Sequence, residues 1–156
     1  MKQSPELQKI QEEMKPGAIT LNGFLGPDER ALIDILAEDE QSVKDLGLTH
    51  AEIGRAMSAV RDAGKKGLGE FTQVDPNFEV RVEGVRGKLP SPFGGPGLYP
   101  KTNTQVRNTS IDKEVVFSDM QIHLIGDHGF YEGKGSPYRL EPGQLAEVLE
   151  IVPEAD

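Results

Sequence analysis

The chain has 156 residues, with 26 Asp plus Glu against 17 Lys plus Arg, a formal charge of -9, and neither cysteine nor tryptophan. This composition excludes disulfides, thiolate metal sites and a cysteine nucleophile, and sets the protein as a whole against nucleic acid or an acidic membrane as partner. The start at Met1 lacks the apolar stretch of a signal peptide, and no apolar run approaches the ~20 residues of a bilayer span, so the expectation is a cytoplasmic protein without a membrane partner.

In chain order, Ser4 caps and Pro5 opens a short amphipathic helix with Leu7, Ile10 and Met14 on one face, stopped by Pro16-Gly17; Ala18–Leu21 suits a short strand. A longer helix is predicted over 27–45, opened by Pro27 with Asp28 and Glu29 in its first turn and Leu32, Ile35, Leu36 and Val43 on its apolar face. The run Glu38-Asp39-Glu40 reads as a solvated face or a break in that helix. Thr49-His50-Ala51-Glu52 is a capping box, and the helix it starts carries Ile53, Met57 and Val60 and stops near Gly64 or Gly67. Glu70–Val74 and Phe78–Glu83 follow as a predicted β-hairpin, the second run alternating apolar and charged.

From Gly84 to Ile111 there is no acid, while Arg86, Lys88, Lys101 and Arg107 are present. Within this stretch, residues 88–101 hold four prolines and three glycines and read as a loop, with Phe93 and Tyr99 as anchors: either a surface crossing or a docking loop. Thr104–Asn108 and Glu114–Phe117 suit a second hairpin. A last helix starts around Pro142, with Leu145, Val148, Leu149 and Val152 as its stripe.

The run Gly47-Leu48-Thr49 into Ala63-Gly64, followed by the hairpin, resembles the recognition helix and wing of winged helix-turn-helix domains, over residues 42–83. The resemblance implies that the exposed helix face contacts nucleic acid or a partner through Arg55, Arg61, Lys65 and Lys66, with His50 and Ser58 beside them and Arg81 near the wing. His50 to Lys66 carries a local +2 within the acidic chain. The preceding Ser42–Leu46 is short for the motif's second helix, and the acidic run at 38–40 opposes phosphates.

The second segment of interest is 118–139. Met120, Ile122 and Leu124 alternate as in a strand, but Ser118-Asp119-Met120-Gln121 is a capping box and Gly129 a helix stop, which favours a helix. On that helix His123 and Asp127 share a face and His128 lies at the C-terminal end. These three are candidate catalytic residues for acid–base chemistry, candidate ligands for a divalent metal, or structural groups. The following glycines at 129, 133 and 135 can expose amides to an anion, with Tyr131, Lys134, Ser136 and Arg139 as ligand-binding candidates. Lys134 and Arg139 are expected to face the His128 end. No nucleophile-elbow sequence supports a serine-hydrolase triad.

The fold class these elements imply is α+β: a helical, winged-helix-like part over 1–87, the Pro/Gly-rich loop at 88–101, and a small mixed part over 102–156, packed together. Two functions remain open. One is a non-enzymatic binding or regulatory domain whose partner is a protein. The other is a small enzyme or a protein binding an anion or metal at 123–139. The sequence requires no cofactor.

Overall fold

The computed structural model describes residues 2–153; Met1 and the last residues of the predicted C-terminal part, 154–156, lie outside the described residues. Helices α1 (Pro5–Glu13), α2 (Leu32–Asp45) and α3 (His50–Gly64) precede strands β1 (Thr72–Val74), β2 (Phe78–Pro90), β3 (Leu98–Asn108) and β4 (Lys113–Ser118), and helices α4 (Asp119–His128) and α5 (Pro142–Val148) follow. The class is α+β, with one antiparallel sheet in the order β1-β2-β3-β4. No helix among the described residues is long and apolar enough to cross a membrane.

The caps act as read. Thr49 Oγ1 accepts from Glu52 N–H while Glu52 reaches back to Thr49 N–H, and Ser118 and Gln121 repeat the exchange at α4. Both boxes fix a helix start from sequence neighbours alone. At α4 the cap decides against the strand reading: Met120, Gln121, Ile122, Leu124 and Ile125 are all buried, so the alternation reflects a helix enclosed on most sides.

Several boundaries differ from expectation. Ala18–Leu21 forms turns rather than a strand, and Leu21 is 86% exposed. Helix α2 begins at Leu32, not Pro27, because Asp28 folds back to accept from Arg30 and from the distant Lys134 N–H, holding 27–31 in a turn. The acidic run neither breaks α2 nor is solvated throughout, since Asp39 is buried. All of 88–90 and 98–101 is strand, which shrinks the predicted loop to 91–97; Pro90 ends its strand, Pro100 stands beside the register shift between Val85 and Lys88, and Pro92 and Pro96 stay in the loop. Val152 lies beyond α5 and is 73% exposed.

Two apolar clusters make the core. Phe78, Val80, Val82, Val106, Val115 and Phe117 from the inner face of the sheet meet α3, α5 and, from α4, Ile122 and Ile125. Met14, Phe24, Leu25, Leu32 and Ile35 meet Met120 and Leu124 of α4 with Phe130. Helix α4 is shared by both clusters, as is α2, which gives Leu32 and Ile35 to one and Val43 to the other. Helix α4 packs on α3 at a glycine crossing, where a Cβ on Gly54 would stand 2.7 Å from Gly126 Cα, while one on Gly126 would stand 3.4 Å from Gly54 Cα.

That asymmetry gives a prediction. Gly54→Ala should lower stability by about 1–3 kcal/mol through overpacking of the crossing, whereas Gly126→Ala should change it by less than about 1 kcal/mol because better helix propensity offsets milder crowding. Urea unfolding of both variants measures the difference.

Candidate functional site

Beyond Glu83 the sheet narrows to two strands, because β1 pairs only with Phe78–Val80 and β4 only with Asn103–Asn108. Residues 84–101 thus form an arm, whose tip folds back onto α4. There His123 gathers three partners. Its Nδ1 lies 2.8 Å from Asp127 Oδ2 and 2.9 Å from the Tyr99 hydroxyl, and its Nε2 lies 2.9 Å from Ser91 Oγ. Tyr99 stacks on His123, and Phe93 stacks on His128 with ring centroids 4.0 Å apart. Burial and the neighbouring His123 lower the His128 pKa, against the opposing pull of Asp127.

Ser91, His123 and Asp127 thus align in the order of a hydrolase triad, which the sequence did not suggest. Ser91 is buried, however, and its Oγ also accepts from Phe93 N–H inside the arm's own turn. With Nδ1–H donating to Asp127 and Nε2 accepting from Ser91, the imidazole is fully bonded. Its evident work is to tie the arm tip to α4. Among the described residues no group of three or more His, Asp or Glu side chains stands close enough to hold a metal ion.

The loop after α4 takes a different course from the one expected. Gly129 closes the helix in a left-handed conformation (φ 64°), with Gly129 N–H bonded to Ile125 O and Phe130 N–H to Leu124 O. The amides that were to form an anion cradle are occupied instead: Gly133 N–H donates to Phe24 O and Lys134 N–H to Asp28. The glycines serve close packing, Gly135 against Pro27 and Gly129 against the His50 ring. Tyr131 is buried, its hydroxyl 2.9 Å from His50 Nδ1, and burial raises its pKa while the same burial lowers that of His50.

Lys134 and Arg139 do not meet the His128 end. Lys134 Nζ pairs with Glu38 at 2.7 Å on the surface. Arg139 is drawn inward, donating to both oxygens of Asp39 at 2.7 and 3.1 Å, to the Glu132 carbonyl at 2.7 Å, and to Glu141. Burial opposes the Arg139 charge, but the bonds to Asp39 and Glu141 outweigh it and raise its pKa. Ser136 Oγ donates to Glu132 Oε1 at 3.2 Å.

These contacts converge on Glu132, a residue absent from the sequence-level candidates. It is 4% exposed and sits at φ 71°, a left-handed conformation uncommon for a side chain of this kind. Its Oε2 accepts from Gln121 Nε2 at 2.9 Å, and the Gln121 amide also donates to Tyr138 O at 2.7 Å. Burial raises the carboxyl pKa to about 7, against the lowering effect of the Ser136 and Gln121 bonds. Glu132, Gln121 and Tyr138 line a cavity of about 260 Å³ together with Leu21, Phe24, Leu89, Asn103 and Met120. No local pattern marks this glutamate; strain, burial and the cavity are all conferred by contacts distant in sequence.

The basic residues of α3 are dispersed. Arg61 pairs with Asp62 at 3.0 Å and lies 3.4 Å from a buried Asp119 oxygen. Arg55 and Arg61 line a groove of about 950 Å³ between α3 and α4, alongside His123 and Asp127. Lys65 and Lys66 are exposed on the turn after α3, and Arg81 lies on the outer sheet face over Phe71. Set against known proteins, the chain finds no match among family models, curated proteins or solved structures.

A pH dependence follows from Glu132. Its folded pKa of about 7 stands above the ordinary 4.5, so its contribution to stability is fully present below about pH 4.5 and is lost as pH rises through 7. Between about pH 5 and pH 8 the wild type should lose up to about 3 kcal/mol more than Glu132→Gln, measured by urea unfolding at both values.

Proposed function

We propose that this chain is a non-enzymatic binding protein, and that its ligand is a small organic molecule whose neutral hydroxyl or carbonyl group is held in the cavity over Glu132. One observation carries this reading: a buried carboxyl in a strained backbone conformation, with its pKa moved into the neutral range, lines a cavity. Strain and burial of this kind destabilise a fold, and they concentrate where a site needs them.

The lining favours binding over catalysis. Besides Glu132, its polar groups are amides and hydroxyls, those of Asn22, Asn103, Ser118, Gln121, Thr20 and Tyr138. Acid–base or nucleophilic chemistry asks for a second group of matched pKa within reach of the first, and Tyr138 at the exposed rim is the one other titratable lining residue. A carboxyl that is part protonated at neutral pH both donates to a carbonyl and accepts from a hydroxyl, so neutral alcohols and amides suit it better than ions.

The winged-helix-like alternative has less support. Arg61 is engaged by two aspartates, α4 stands against α3 at Gly54, and exposed Lys65 and Lys66 are what remains in its favour.

Titration of the isotope-labelled protein with butanol and with butyramide tests the proposal. Saturable resonance shifts should centre on Glu132 and the Gln121 side-chain amide and be weakened in Glu132→Gln. Shifts scattered over the surface, or none, would sink the reading.

A further inference from the structure

The cavity over Glu132 does not end at Met120. A second cavity of about 290 Å³ shares Leu89, Asn103, Ser118 and Met120 with the first, and continues along the arm to Val85 and Lys101. The two together form a path whose chemistry changes from end to end. At one end stand the Glu132 carboxyl and the Gln121 amide. In the middle Met120 and Leu89 present an apolar floor, and Val85, 60% exposed, extends it. At the far end stands Lys101, its stem lying across Gly87, where a Cβ would meet Lys101 Cε at 3.6 Å.

The charge at that far end is uncompensated. Arg81 and Arg107, which bracket the arm, are paired with Glu83 and Glu114. Between Gly84 and Ile111 there is no acid, and among the described residues Arg86, Lys88 and Lys101 of the arm make no ion pair. In a chain of net charge -9, an acid-free arm whose Lys101 lines the open apolar path without an ion-pair partner is a specific local departure.

We infer that the ligand is a linear molecule with a hydroxyl or carbonyl at one end, an aliphatic body, and a carboxylate at the other: the polar end at Glu132 and Gln121, the body over Met120 and Leu89, and the carboxylate at Lys101. This rests on the cavity over Glu132 being a binding site and adds the end-to-end polarity of what fills it. The compact ammonium of Lys101 suits a single negative charge, where an arginine fork or a nest of amides would suit phosphate.

The probes are ω-hydroxydecanoate, decanediol, which lacks the anion, and ω-aminodecanol, which reverses it. Calorimetric titration of the full chain at neutral pH should show ω-hydroxydecanoate binding about tenfold more tightly than decanediol, with ω-aminodecanol weakest. Lys101→Met should abolish the advantage of ω-hydroxydecanoate, and Lys101→Glu should transfer it to ω-aminodecanol, with decanediol unchanged in both. Because Lys101 is exposed, both variants should melt with the wild type. Equal affinities for the three probes, or indifference to Lys101→Glu, would overturn the polarity assigned here. If butanol still shifts Glu132 in that case, the cavity remains a site and only its extension falls; if butanol fails too, both fall.

Discussion

Arg139 is the residue on which the placement of everything around the cavity depends. Its side chain is 6% exposed and that of Asp39 is 3% exposed, so the two charges meet away from water. Their desolvation is offset only because every group finds a partner: two bonds between the guanidinium and Asp39, one to the Glu132 carbonyl and two to Glu141. Such a pair adds little net stability over apolar side chains of the same size, but it fixes position, because either partner alone would be a buried uncompensated charge. It joins the middle of α2 to the loop between α4 and α5. By holding the Glu132 carbonyl, it also holds the backbone of that residue where φ is positive.

The same loop shows why glycine recurs in it. Gly133 and Gly135 lie against Leu25 and Pro27, and Gly26 against Ser136, so two irregular segments, 24–28 and 133–136, meet at van der Waals distance, joined by the bonds from Gly133 N–H to Phe24 O and from Lys134 N–H to the Asp28 carboxylate. A side chain at these points would push the segments apart and open the cavity wall. Glycine here provides close approach rather than an anion cradle, and the wall it builds carries Phe24 on one side and Glu132 on the other.

How far this was legible in the sequence differs by the range of the interaction involved. Elements set by near neighbours were readable: the capping boxes at Thr49 and Ser118, the Gly129 stop, the tight β1–β2 turn at Val74–Phe78 and the β3–β4 hairpin all reflect contacts close in sequence. Asp39 was not, because its partner is 100 positions away and nothing in Glu38-Asp39-Glu40 distinguishes the buried acid from the two on the surface. The arm was hidden by its prolines, two of which, Pro90 at a strand end and Pro100 beside a register shift, the ladder accommodates. Of the candidate site residues, His123 and Asp127 do come together, but Tyr99 and Ser91 complete that cluster, and the arm that brings them is a tertiary feature. Glu132 was present within the 123–139 segment but carried no pattern of its own.

The arm and the cavity are parts of one arrangement. The His123 and His128 contacts pin the arm tip to α4, and the same arm carries Leu89 beside Met120 and Gln121 and Lys101 to the cavity that Met120 also lines. The site is thereby assembled from the arm, α4, the 129–141 loop and the turn after α1, and its central feature is a carboxyl kept out of water. Titration of the Glu132 side-chain carboxyl by carbon-13 resonance in the intact chain tests this most directly. A midpoint near 7 is what a buried acid lining a functional cavity predicts, and a midpoint near the ordinary 4.5 would contradict it.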